Sequence, residues 1–233
     1  MDAERSHFWF RSRASLIAWA VDTYFRDARS MLDVGCGVGG VLRAVGRRHT
    51  GMKLVGGELL CRGLRVARER LPDAEFLQMD ARRIPFDREF DIVGAFDVIE
   101  HIDDDRTALA QMYQSLVPGG GLLVTVPQHR WLWSAFDEAS GHRRRYTHRD
   151  LSQKLRETGF ALVRMTSFMS LTLPAIVVSR IGGRAVDLRR ALTIAPSVNW
   201  MMSRLSGIER AVIRAGASFP AGGSLLAVAV RPR

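Results

Sequence analysis

The ten residues from Met31 to Gly40, MLDVGCGVGG, restrict the fold more than any other stretch of the chain. Met31 to Val34 is a short apolar run of strand type, and it ends in a turn with glycine at positions 35, 37, 39 and 40. Such a turn needs glycine because the backbone must bend sharply out of a strand and let a ligand approach with no Cβ in the way. VLRAVGRRH follows with helical character, so the unit reads strand, glycine-rich turn, helix. The alternation then continues. KLVGGE (Lys53 to Glu58) is a second strand, CRGLRVARERL a helix closed by Pro72, and EFLQMD (Glu75 to Asp80) a third strand. FDIVGAFD (Phe90 to Asp97) is nearly continuous in apolar residues, as suits a strand covered on both faces. DRTALAQMYQSLV is a helix that stops at Pro118-Gly119-Gly120-Gly121, and LLVTVP (Leu122 to Pro127) is a fifth strand. Strand and helix in turn predict an α/β fold with a doubly wound, mostly parallel sheet.

The flanks differ from this core. Leu16 to Phe25 carries helical apolar spacing and predicts a helix in an N-terminal cap, residues 1–30. The core spans 31–166, with a helix over Arg149 to Thr158 and a sixth strand over Phe160 to Thr166. Residues 167–223 read as a helical insertion or lid with a helix around Val198 to Ala215, and 224–233 hold the last strand, Ser224 to Val230. At 233 residues and 47% hydrophobic, the chain can bury a large single core. Residues 1–140 hold 18 basic and 20 acidic groups, whereas 141–233 hold 16 and 4, so the positive charge is concentrated in the C-terminal part. That asymmetry suits an anionic substrate, a membrane surface or nucleic acid. The first residues lack the apolar core of a signal peptide, and the longest apolar run of the insertion is too short to span a bilayer. Cys36 and Cys61 cannot form a disulfide framework. A cytoplasmic protein with peripheral membrane contact is the expectation.

The glycine turn alone leaves two nucleotides open. Gly35, Gly37 and Gly40 satisfy GxGxxG, and Glu58 lies 23 residues after Gly35, as in an NAD-linked oxidoreductase. Asp33 tilts the choice, because a carboxylate at a buried strand end would repel a pyrophosphate and suits an amine-bearing ligand. LDVGCGVGG resembles motif I of the class I S-adenosylmethionine (SAM) dependent methyltransferases. The resemblance extends to Glu58, Asp80, FDIVGAFDVIEH and PGGGLLVTVP. HFWFRSR near the start and GHRRRY (Gly141 to Tyr146) look like a bacterial subgroup of small-molecule methyltransferases.

That resemblance implies a Rossmann-like sheet of seven strands, the last antiparallel. Asp33, Gly35, Cys36, Gly37 and Gly39 would line the methionine and ribose end of SAM. Glu58, with Leu59 beside it, would accept the ribose hydroxyls. Asp80, Ala81 and Arg82 would hold the adenine, and Phe96 and Asp97 would border the methionine. Arg11 or Arg13 would grip the cofactor carboxylate. His101 and His142 are the candidate catalytic groups for an acceptor that must lose a proton, and Glu100 could orient a histidine. No metal is expected, since Asp103-Asp104-Asp105 reads as a helix N-terminus. The product of SAM would be S-adenosylhomocysteine. The expected acceptor is small and hydrophobic or anionic, with lipid-linked and polyketide-like molecules as examples. Nothing resembles the motifs of base methylation or RNA recognition, so nucleic acid is not an expected partner. A non-catalytic SAM-binding protein remains a rival reading, since its cofactor loop would look the same.

Overall fold

The computed structural model describes residues 6–180 and 193–233. Its seven strands are β1 (Ser30–Val34), β2 (Lys53–Glu58), β3 (Glu75–Gln78), β4 (Phe90–Phe96), β5 (Leu116–Pro127), β6 (Ala161–Phe168) and β7 (Ser224–Val230). They form one sheet in the order β3-β2-β1-β4-β5-β7-β6. Neighbours from β3 to β5 pair in parallel, and β7 runs antiparallel to both β5 and β6. The seven-stranded α/β expectation therefore holds. Chain order reverses between β1 and β4, which opens a crevice beyond their carboxyl ends, where doubly wound sheets hold ligands.

Helices cover both faces. α1 (Phe8–Tyr24), α2 (Gly40–Gly46), α3 (Cys61–Arg70) and α4 (Asp105–Ser115) precede β5; the short α5 (Ala135–Ala139) and α6 (His148–Glu157) follow it. One core cluster holds Leu32, Val93, Leu109, Val124, Tyr146 and Ala227. The other holds Leu16, Ile17, Val21, Leu42, Ile92 and Val228, which puts α1 on the sheet as a structural layer.

Between β6 and β7 lie α7 (Leu173–Arg180) and α8 (Pro196–Arg214); the rest of the expected insertion, 181–192, lies outside the described residues. α8 packs on α1 rather than standing alone. Asn199 Oδ1 accepts from the Phe8 amide at 2.8 Å, Arg210 donates to Ser12 Oγ at 2.6 Å, and Arg214 donates to Ser15 Oγ at 3.0 Å. Cap and insertion thus form one helical layer. Met202 and Ile213 are buried, while Trp200, Met201 and Ile208 face outward.

Among the element boundaries that depart from the sequence expectation, three are set by tertiary contacts. α1 starts at Phe8, eight residues earlier than expected, because its aromatic first turn is capped by His7 and covered by α8. β3 ends at Gln78, and the next amide, Met79, donates to Glu58 O at 3.0 Å. β5 begins at Leu116, so Pro118 to Gly120 form a bulge inside a strand rather than a loop before it. Proline and glycine are tolerated there because Gly119 adopts φ +85° and donates to Arg231 O, while the Arg231 amide donates to Gly120 O.

Candidate functional site

The glycine turn caps the crevice at the end of β1. The amides of Gly35 and Cys36 both donate to Gly57 O, at 2.7 and 3.0 Å, which folds the loop over the end of β2. Gly35 has φ +74°, and a Cβ there would lie 2.4 Å from Val98 Cγ2. Gly37 also has a positive φ, +56°, but a Cβ on it would meet nothing. Glu58 closes the crevice from the β2 side. Its Oε2 accepts from the Gly37 amide at 3.0 Å and its Oε1 from the Leu60 amide at 3.1 Å. A cleft of about 450 Å³ opens beside it, lined by Glu58, Leu60, Arg62, Arg65 and Val66 among others. Gly56 and Gly57, unusual in a strand, have packing reasons. A Cβ would lie 2.6 Å from the Phe76 ring at the first and 2.2 Å from Met79 Cε at the second.

On the β4 side Asp97 adopts φ +58°, a strained conformation that Asp tolerates better than most residues. It is held by an ion pair with Arg13 and by the Thr125 hydroxyl, which donates to Oδ2 at 3.0 Å. The same Arg13 Nη1 donates to Phe96 O at 3.2 Å, and its guanidinium stacks 4.5 Å above the Trp9 ring. Cation–π stacking and a carboxylate together fix its orientation. Arg13 therefore ties the N-terminal helix to the mouth of the crevice.

A second group of polar side chains lies beyond β4, where Ile99–His101 form a single helical turn. Glu100 is fully buried, and neither carboxylate oxygen has a hydrogen-bond partner among the described residues. Burial and the neighbouring Asp97 hold its carboxyl well above the usual range. The rings of His101 and His142 meet edge to face with centroids 4.8 Å apart. Burial, then the neighbouring His142, lower the His101 imidazole below its ordinary value. His142 Nδ1 lies 2.9 Å from Asp137 Oδ1. Asp137 has no exposed surface and also receives Arg145 Nε at 2.7 Å and Arg180 Nη1 at 2.9 Å. Burial alone would raise its pKa, but the bond with His142 and the Arg145 charge outweigh it and hold the carboxyl well below the usual range.

The sequence-predicted residues divide accordingly. Asp33, Gly35, Cys36, Gly37, Gly39 and Glu58 gather at the β1–β2 end, with Asp33 buried in register between Gly56 and Gly94. Phe96, Asp97, His101 and His142 gather across the crevice, where Arg13 also arrives. Asp80 is engaged locally. Its carboxylate takes the Arg82 amide at 2.9 Å and the Arg82 guanidinium at 2.6 Å, which lowers its pKa. Ala81 is buried and Leu59 exposed. Arg11 is exposed and does not share the Asp97 contact. Glu100 makes no side-chain hydrogen bond to a histidine among the described residues, and the carboxylate that holds His142 is Asp137. Asp104 caps α4, accepting from the Thr107 amide at 3.0 Å, as expected for that acidic run. Asp137, Arg145, Thr125 and Arg180 were not singled out. The one local signal for Asp137 was its spacing from Ser134, which forms a capping box.

Fold and crevice define a doubly wound α/β protein whose crevice lies where such sheets hold ligands. Residues 1–165 match the family described as methyltransferase domain. Over 103 residues the chain is 32% identical to trans-aconitate 2-methyltransferase of Afipia carboxidovorans, covering 44% of this chain and 40% of that one. The chain spans less than half the length of the curated relatives it matches. Among solved structures, a Bacillus halodurans protein described as a putative methyltransferase superposes with TM-score 0.63 at 19% identity, covering 94% of this chain and 99% of that chain. Haemonchus contortus phosphoethanolamine N-methyltransferase 2, in complex with SAM, superposes with TM-score 0.64 at 22% identity, covering 95% and 53%. The chain belongs to the methyltransferase-domain family, with the class I fold.

Proposed function

We propose that this chain transfers a methyl group from SAM to an oxygen or nitrogen of a small acceptor. The observation that carries this reading is Glu58. An acceptor-only carboxylate stands at the end of β2 with one oxygen on a glycine-loop amide, beside a cleft of ligand size. Such a group suits two vicinal ribose hydroxyls. Asp33 and the loop glycines suit the amine and backbone of the methionine portion, with Arg13 assigned to its carboxylate and Asp97 bordering the same portion. Asp80, Ala81, Arg82 and Leu59 are the residues assigned to adenine. SAM supplies a methyl group already activated on a sulfonium. The protein therefore has to align the acceptor, exclude water and manage any proton. His101 and His142 are the groups assigned to that last task.

The acceptor we favour carries negative charge. A second cleft of about 470 Å³, next to the glycine turn, is lined by Phe10, Arg11, Arg13, Arg43, Arg47 and Arg210, among others. The exposed Trp200 and Met201 support an amphiphilic acceptor or contact with a membrane surface. No described helix is long and apolar enough to cross a membrane.

Calorimetric titration with SAM, S-adenosylhomocysteine and NADH tests the cofactor reading. Glu58→Ala is expected to weaken SAM binding about ten-fold or more, on the order of one charge-assisted contact. Binding of NADH without a response to SAM would refute it.

A further inference from the structure

We propose that Glu100, His101 and His142 bind a divalent transition-metal ion, of the zinc or iron(II) type, and that the histidines act on the acceptor through this ion. Each of the three residues offers a ligand atom, and these atoms lie within 4.8 Å of one another. An ion at about 2.1 Å from each needs a spacing of about 3.4 Å, so side-chain shifts of about an ångström complete the tripod.

Independent features point the same way. Glu100 is a fully buried carboxylate without a hydrogen bond among the described residues, beside a second carboxylate, Asp97. Such a carboxyl ionises only with a cation beside it, as it would on binding a metal ion. The two guanidiniums that act on Glu100 are already engaged, Arg13 with Asp97 and Arg145 with Asp137 and Gln128 O. His142 turns Nδ1 to Asp137, leaving Nε2 free as a ligand; His101 Nδ1 lies 3.4 Å from Gly141 O, leaving its Nε2 likewise. A ligating histidine whose other nitrogen is held by a carboxylate or carbonyl is the usual outer arrangement of metal sites. Two imidazoles favour zinc or iron(II) over magnesium or calcium, and three protein ligands leave positions open for an oxygen of the acceptor. An acceptor hydroxyl bound there loses its proton to water more readily, because the ion stabilises the resulting oxyanion. The acidic run Asp103 to Asp105, the metal candidate weighed from sequence, is occupied by capping and by ion pairs with Arg143, Arg144 and Lys154.

Ion binding is independent of the methyltransferase reading; only its role on the acceptor rests on it. The full chain, stripped with chelator, is titrated with Zn²⁺ by calorimetry and with Co²⁺ by its visible absorption, and SAM binding is measured on the same samples. One equivalent of each ion is expected. Glu100→Gln and His142→Ala should each weaken binding ten-fold or more, while Asp103→Asn should leave it unchanged. Far-ultraviolet circular dichroism checks that each variant is folded, and near-isosteric Glu100→Gln guards against a loss caused by misfolding. Folded wild type that binds SAM but no ion overturns the proposal, as does ion binding equal in wild type and both ligand variants. Ion binding without SAM binding supports this site and counts against the cofactor reading alone.

Discussion

Asp137→Asn isolates the charge that organises the histidine side of the site. The carboxylate has no exposed surface, and it faces Arg145, 5% exposed, as well as Arg180 and His142. Asparagine keeps the shape and an acceptor for the Ser134 amide, which donates to Oδ2 at 3.0 Å. What it removes is the negative charge between two guanidiniums, and its amide hydrogens would point at donors. Removing one partner from a buried pair costs about 3–5 kcal/mol, because the remaining charge stays desolvated. The Arg145 contact carries most of this, since Arg180 is partly solvated and a screened pair contributes about 1 kcal/mol or less. Urea unfolding in chelator-containing buffer should therefore show a lower midpoint at unchanged slope, with a loss of about 3–5 kcal/mol. Arg145→Met leaves the carboxylate with its other partners. The double variant should lose less than the two single losses added, by about 1–3 kcal/mol. A loss below about 1 kcal/mol for Asp137→Asn, or a double variant that is simply additive, would refute the idea that this buried charge orders the site.

Two further substitutions test other links. Gly35→Ala combines a positive φ with a 2.4 Å approach to Val98 and should cost about 2–4 kcal/mol, whereas Gly37→Ala meets open space and should cost about 1 kcal/mol; equal losses by thermal unfolding would contradict this packing. Glu209 on α8 is buried, which raises its carboxyl above the ordinary value although Oε1 accepts from the Ser170 amide at 3.0 Å. The folded state then keeps this proton to higher pH than the unfolded chain. Wild type should lose stability relative to Glu209→Gln as pH rises above about 4.3 and recover it on acidification; urea midpoints for the pair, followed from pH 4 upward, would show no such trend if Glu209 were solvated.

Legibility from sequence followed the distance over which each feature is determined. The glycine turn was readable because its chemistry is local: a strand must end, a backbone must bend, and only glycine permits both. The same held for Glu58 at the end of β2, for the alternation that dictates a parallel sheet, and for Asp104 as a cap. β5 was misjudged at its start because Pro118 to Gly120 look like a loop until Arg231, from the far end of the chain, pairs with them. The helix of the N-terminal cap starts earlier than its apolar spacing implies because an aromatic first turn has modest helix propensity, and packing against α8 makes it favourable.

The sequence by itself determined the sheet, the glycine loop and its acidic partner, since those rest on backbone geometry within a few residues of each motif. It named His101 and His142 but could not join them, because their 4.8 Å approach depends on how β4 and the segment after β5 end side by side. Tertiary structure alone decided that Asp137 holds His142, that Arg13 reaches Asp97 from the first helix, and that Glu100 is buried without a hydrogen-bond partner among the described residues. A side chain's burial and partners are set by segments distant in the chain, and no local pattern encodes them.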